Sequence, residues 1–410
     1  MVEYSVTPLR YLLRPVERTG FPSADVLSVY RDHGVIPKES RTDNYNKTPL
    51  DLSRYQLVQA GDLVVNKMKA WQGSLGVSAY SGIVSPDYLV CEVSPRVHSR
   101  YLHHLLRSHF LIGEFKSRSK GIRPAQWRLY WEDLAKVEVS LPPVKEQRRI
   151  ADFLDAETSE LARIELLSSQ LSCLLGERQA SLLSNCFSSR TTEAGGALPV
   201  NLVLRRVVNR WIDYRGATPE KTVSGVPLVT AKNIRDGKID MAASREYIAE
   251  DAYSDWMRRG LLMHGDVLLT TEAPLGQVAM VDDPGVALAQ RVIVLRADQR
   301  FCSPEWLYWY LRSPQGQAEL ELRATGSTAL GIKADRLRGV PIPVLKPAEA
   351  KERLAQLQSQ VSQIESLQGE LSRQRALIAE RRQALITAAV TGQFDVSTAS
   401  GRNVTDGVSA

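Results

Sequence analysis

The sequence predicts an α+β protein in which two similar α/β domains are separated by two long helices packed as an antiparallel coiled coil. Three observations carry this expectation. Short motifs recur in the same order about 204 positions apart. In each half, short apolar runs broken by Gly, Pro, Asn and Asp give way, after a cluster of prolines, to a seven-residue apolar period. At 410 residues, 43% hydrophobic and 24% charged, the chain can form several cores, which excludes a disulfide-stapled mini-protein and wholesale disorder.

The repeat runs through the whole chain. GDLVVNK at 61–67 is matched by GDVLLTT at 265–271, and LGVSA at 75–79 by LGQVA at 275–279. SRYLHHLLRSHF at 99–110 is matched by SPEWLYWYLRSP at 303–314, LPPVKEQRRIADFL at 141–154 by LKPAEAKERLAQLQ at 345–358, and ERQASLL at 177–183 by ERRQALIT at 380–387. Five matches in one order indicate a duplicated unit. Within each unit the runs LVVN and YLVCEV, or VLLTT and VIVLRA, read as strands, and helices follow near Tyr101–Phe115 and Pro304–Leu322.

Prolines 142 and 143 in the first unit, and 341, 343 and 347 in the second, precede the change to a helical period, where a first-turn proline is tolerated. In the second long helix Leu357, Ile364, Leu371, Ile378 and Leu385 recur every seven residues, with Leu354 and Val361 on the same seam. In the first, Leu154, Leu161, Leu175 and Leu182 form one row, broken by Ser168, with Ile150, Ile164 and Leu171 beside it. Each helix is a stripe in need of a partner. Antiparallel pairing of the two buries both seams, and roughly 40 residues of helix span about 60 Å. The competing expectation folds each stripe back on its own globular domain.

The expected domains are therefore 1–143 and 201–346, with helices at 144–187 and 347–394, a small polar linker at 188–200 and a mobile tail at 395–410. Lys plus Arg exceeds Asp plus Glu by 52 − 46 = 6, a mild lean toward a polyanionic partner. The four cysteines, Cys91, Cys173, Cys186 and Cys302, include no C-x-x-C pair, which points to a reducing compartment. With no signal peptide or long apolar run in the sequence, a cytoplasmic protein without membrane contact is expected.

The sequence contains no P-loop, no G-x-G-x-x-G following a strand, no N/D-P-P-Y and no deaminase signature. His98, His103, His104 and His109 do not place three ligands on one helical face, so a metal site is not expected. Asp87, Glu114 and Lys116 satisfy a loose P-D then E-x-K pattern of Mg²⁺ nucleases, but the second unit lacks a counterpart. Positive charge does cluster. Lys116, Arg118, Lys120, Arg123 and Arg128 fall within thirteen residues that contain no acid, interleaved with Gln126, Trp127 and Tyr130 in a Gly/Pro-broken loop. Asn66, Lys67, Lys69 and Gln72 follow a strand and offer donors and acceptors to base edges. The second unit offers Thr271 and Gln277, then Ser327, Thr328 and Lys333, with Lys232, Asn233, Arg235 and Lys238 on a further loop. Frames that repeat while their polar loops diverge fit two readers of different sequences on one ligand.

GIRPAQWRLYWEDL at 121–134, leading into V-x-V-x-L-P-P-V-K-E-Q-R-R-I-A-D-F-L at 137–154, resembles the end of a target recognition domain and the conserved helix of type I restriction-modification specificity subunits. LITAAVTGQFDV at 385–396 is similar to the end of that family's second helix, and GD-L-V/L and NIRDGKI also fit. In KPAEAKERLAQL the family's P-P-x-x-E-Q is degraded, so Glu146 and Gln147 lack clean counterparts at 350 and 351. The resemblance implies a non-catalytic subunit whose domains 1–143 and 201–346 each read half of a bipartite site in double-stranded DNA, the coiled coil setting the spacer. It also implies two adenine methyltransferase subunits carrying S-adenosylmethionine, and restriction/translocase subunits using ATP and Mg²⁺, with no cofactor on this chain. Two alternatives remain at this point: a self-sufficient Mg²⁺-dependent nuclease, and a structural coiled-coil adaptor that binds no DNA.

Overall fold

The structure is a computed structural model that describes residues 4–40, 48–123, 126–188, 199–214, 218–326, 330–393 and 395–396. Its packing divides the chain into two compact units, Met1–Ser169 with Ser372–Ala410, and Gln170–Leu371, so each long helix gives one half to each unit. Most of the expected linker and nearly all of the expected tail lie outside the described residues. Asp395 and Val396 depart from the mobile-tail expectation. Val396 is buried in the first unit's core, and Asp395 lies 3.8 Å from Arg149.

In the first unit four antiparallel strands lie in the order Leu13–Val16, Tyr88–Val93, Leu63–Asn66, Leu75–Val77. In the second the order is Val208–Asp213, Val292–Ala297, Val267–Thr271, Leu275–Met280. The duplication extends to register: Leu63 faces Cys91 and Asn66 faces Tyr88, while Val267 faces Leu295 and Thr270 faces Val292, each 204 positions on. Leu63–Asn66 and Val267–Thr271 are buried along their whole length, which is why they read as unbroken apolar runs rather than alternating ones. Leu63 and Val65 enter one core while Val64 enters another; Leu269 and Leu268 divide in the same way.

One face of each sheet is covered by a helix, Ser99–Leu106 or Pro304–Arg312. The second begins with Ser303 accepting the Trp306 amide at 3.1 Å and with a proline in the first turn. A strand near the start of each unit pairs with the strand that precedes the long helix: Ser5–Pro8 with Glu138–Leu141, and Val200–Val203 with Pro341–Val344. These pairs pin the point where each long helix begins.

The long helices span Val144–Cys186 and Pro347–Val390. They pack antiparallel within each unit, the start of one against the end of the other. In the first unit Ile150, Ala151 and Leu154 share a core with Leu385, Ile386 and Ala389, and Glu165 accepts from Arg382 at 3.2 Å. In the second, Leu183 and Cys186 share a core with Leu354, Leu357 and Val361, and the Cys186 carbonyl accepts from Arg353 at 3.2 Å. On Pro347–Val390 the expected seam holds: Leu354, Leu357, Val361, Ile364 and Leu385 are buried and Leu371 and Ile378 half-buried. On Val144–Cys186 it holds in part. Leu154, Leu161 and Ser168 are buried and Leu175 and Leu182 half-buried, whereas Ile164 and Leu171 are 42% and 47% exposed, which corrects their placement in the seam. The second row of the seam is polar instead, formed by the half-buried Thr158, Glu165, Ser172 and Gln179. Ile164, Leu167, Leu171 and Leu174 make a separate exposed stripe at heptad spacing.

Candidate nucleic-acid interface

In the first unit the structure brings together the two basic segments singled out in the sequence. The chain leaves the strand Leu63–Asn66 through a tight turn, in which the Asn66 carboxamide oxygen accepts the Met68 amide at 3.1 Å and the Lys69 amide donates to the Asn66 carbonyl at 3.0 Å. Gly73, at φ +91°, closes the short helical turn Ala70–Gln72, a conformation that a side chain rarely adopts. The second segment is closed by a backbone bridge, hereafter the hairpin, in which Lys120 and Arg128 exchange hydrogen bonds at 3.0 and 2.8 Å.

The hairpin docks on the turn. The Leu129 amide donates to the Lys67 carbonyl at 2.9 Å, and Trp71 and Trp127 meet edge-on with centroids 5.3 Å apart. Lys69, Gln72, Lys120, Arg123 and Gln126 are exposed on this joined surface, and Lys67, Arg118 and Arg128 are half-buried. Acids from outside the loop neutralise part of it, with Asp133 2.7 Å from Lys120 and Glu114 2.6 Å from Arg118. Lys67, Lys69, Arg123 and Arg128 carry no ion pair among the described residues.

The second unit repeats this construction with other side chains. The Ile332 amide donates to the Thr271 carbonyl at 3.0 Å, and Thr325 and Gly331 form the bridge that Lys120 and Arg128 form in the first unit. Lys333 is exposed beside it and Gln277 is half-buried, while Ser327 and Thr328 lie outside the described residues. Nearby, Ile234–Arg235 pairs with Lys238–Ile239 through an Asp236-Gly237 turn at φ 48° and 83°. A Cβ at Gly237 would collide with the Tyr308 hydroxyl, which donates to the Gly237 carbonyl at 3.0 Å. This hairpin packs against the strand Leu275–Met280 and leaves Lys232, Arg235 and Lys238 exposed.

Three candidates are framework rather than surface. Asn233 is fully buried, its carboxamide accepting from Thr230 and donating to the Asp240 and Ser244 carbonyls at 2.9 and 2.8 Å. Asn66 is spent on its own turn, and the Thr271 hydroxyl donates to the Arg291 carbonyl at 3.3 Å. Sequence reasoning missed Arg291 and Glu272, an exposed ion pair at 2.8 Å. An arginine placed directly before a buried strand was the available signal.

His103 and His104 are part of the packing. His103 is buried, its Nδ1 3.3 Å from the Val77 carbonyl; burial, with Arg107 and His104 nearby, pushes its pKa well below the ordinary value. His104 lies 2.8 Å from Asp155, and burial outweighs that carboxylate and lowers its pKa too. At Asp155 burial opposes ionisation, but hydrogen bonds from His104 and Arg100 prevail and hold the carboxyl below its usual range. The Glu114 carboxylate of the nuclease-like pattern is engaged by Arg118.

No protein-family model matches the chain. The Escherichia coli type I restriction enzyme EcoBI specificity subunit is 20% identical over 331 residues, 74% of this chain and 68% of that protein. A chain from a solved type I R-M system, studied for its complex assembly and conformational transition, superposes with a TM-score of 0.70 at 17% identity. It covers 96% of this chain and 98% of its own. This is the fold of a type I restriction-modification specificity subunit. The HsdS subunit from Thermoanaerobacter tengcongensis shares the fold with a TM-score of 0.51 at 18% identity, covering 95% and 97%. The specificity-subunit fold bears out the family resemblance read from the sequence and supports neither the nuclease nor the adaptor alternative. No helix among the described residues is long and apolar enough to cross a membrane.

Proposed function

We propose that this chain is the non-catalytic DNA-reading subunit of a type I restriction-modification complex, each unit reading one half of a bipartite site. The observation that carries the reading is that in both units, about 204 residues apart, the segment leaving the same buried strand is docked by a later bridged loop through a corresponding backbone hydrogen bond, with different polar side chains on each copy. Phosphate contacts fix register and base-edge contacts supply sequence, so a constant frame with divergent donors suits two half-sites. In the first unit Lys67, Lys69, Gln72, Arg118, Lys120, Arg123, Gln126 and Arg128 are the contacting set. In the second it is Lys232, Arg235, Gln277, Ser327, Thr328 and Lys333.

The paired helices set the number of unread base pairs between the halves. The exposed stripe Ile164, Leu167, Leu171 and Leu174 supports docking of adenine methyltransferase subunits, since apolar side chains at heptad spacing match a partner helix. S-adenosylmethionine belongs to those subunits, and ATP and Mg²⁺ to restriction/translocase subunits. The test is binding of the chain with its methyltransferase partner to a panel of duplexes at physiological salt. One bipartite sequence is expected to bind best by roughly a thousandfold or more over unrelated duplexes; equal affinity for all would remove the reading.

A further inference from the structure

Arg291 stands at the edge of the second unit's platform with φ +79°, a left-handed conformation uncommon for a residue with a side chain. Thr271 holds it there, its amide donating to the Arg291 carbonyl at 2.9 Å and its hydroxyl to the same oxygen at 3.3 Å. The side chain is ion-paired as well. Nε lies 2.8 Å from a Glu272 carboxylate oxygen, and each side chain is 47% exposed. Glu272 is fixed in turn by a backbone bridge to Gly331, where a Cβ would sit 3.7 Å from the other carboxylate oxygen. Backbone strain that the surroundings enforce, at a surface made for a ligand, marks a position whose side chain must point one way.

We infer that Arg291 reads a guanine in the half-site of the second unit, aimed by Glu272 and by its own constrained backbone. This rests on the function proposed above. A planar guanidinium matches the paired acceptors N7 and O6 of guanine, and a carboxylate paired with it on the Nε side leaves the terminal nitrogens for that purpose. A phosphate contact needs no such aiming, because it carries no sequence information. The first unit differs in sign at this place. Tyr88 faces Asn66 as Val292 faces Thr270, so the residue corresponding to Arg291 is the exposed Asp87, and the two units cannot read the same base here.

The experiment is selection from a library of duplexes randomised in both half-sites, using the methyltransferase complex that contains the full chain. The wild-type complex is expected to enrich a bipartite motif with a G·C pair at one position that Arg291→Gly flattens, a loss of roughly 5- to 150-fold in preference there. Glycine suits the left-handed backbone, so the variant keeps its fold. Arg291→Lys, which keeps the charge and loses the fork, is expected to lose most of the same preference, and Glu272→Gln part of it. Unchanged preferences in Arg291→Gly overturn the inference. So does uniform weakening with a salt slope shallower by about one, the mark of a phosphate contact. A wild-type complex that enriches no bipartite motif instead overturns the functional reading, and this inference with it.

Discussion

Replacing Trp127 by alanine tests whether the hairpin and turn of the first unit act as one reading surface. Trp71 and Trp127 meet edge-on at 5.3 Å, the aromatic contact between segments also joined by the Leu129-to-Lys67 backbone hydrogen bond and by Arg128 Nη2 4.0 Å from the Met68 sulfur. An aromatic pair of this geometry is worth about 0.5–1.5 kcal/mol beyond its area, a factor of roughly 2 to 13. Without it, Lys69, Gln72, Arg123 and Gln126 must be ordered on DNA at the expense of binding energy. Fluorescence anisotropy with the cognate duplex, run as a double-mutant cycle of Trp71→Ala and Trp127→Ala, measures the coupling directly. A coupling energy of about 0.5–1.5 kcal/mol is expected, with circular dichroism confirming that each variant is folded. Additivity within about 0.3 kcal/mol would show that the two loops bind independently and refute the single-surface argument.

Further expectations concern the framework. The buried Ser168 hydroxyl has no hydrogen-bond partner among the described residues, so Ser168→Ala should raise the urea midpoint, by about 1 kcal/mol of stability; a lower midpoint contradicts this. Because the folded pKa of His103 is depressed, the unfolded chain takes up the proton first as pH falls below about 6.5. The stability from neutral His103 is complete above that pH and is lost toward the folded value at up to about 1.4 kcal/mol per pH unit. Urea midpoints at pH 7.5 and 5.5 should fall, and fall less in His103→Gln; equal falls exclude His103 as the cause. One heptad inserted after Ser169 and another after Leu371 keeps both seams in phase and lengthens each helix by about 10.5 Å, about three base pairs of duplex. Methylated half-sites should then lie about three base pairs further apart, and an unchanged spacer would refute the measuring role of the helices.

Much of the fold was legible because its signals are local or repeated. The duplication could be read from short motifs, and it extends to strand register at Leu63–Cys91 and Val267–Leu295. The proline-opened helices begin where expected, at Val144 and Pro347. The central seam was only half legible. Hydrophobicity favoured Ile164 and Leu171, whereas packing put Glu165 opposite Arg382 and turned the two apolar residues outward. The site was less legible for a related reason. A short polar side chain serves equally well to cap a turn or to face a ligand, and its type alone does not distinguish them. Asn66, Asn233 and Thr271 went to the first use. Arg291 depends on a left-handed backbone and on Glu272 nineteen positions earlier, neither of which a local pattern encodes.

The central claim, two different readers acting on one split site, is tested most directly by mapping methylated adenines across a genome in cells with and without this chain. A single motif of two unequal halves separated by a constant unread spacer, present only with the chain, is the predicted result. A methylation pattern that is the same in both cells, or one continuous motif with no spacer, would contradict it.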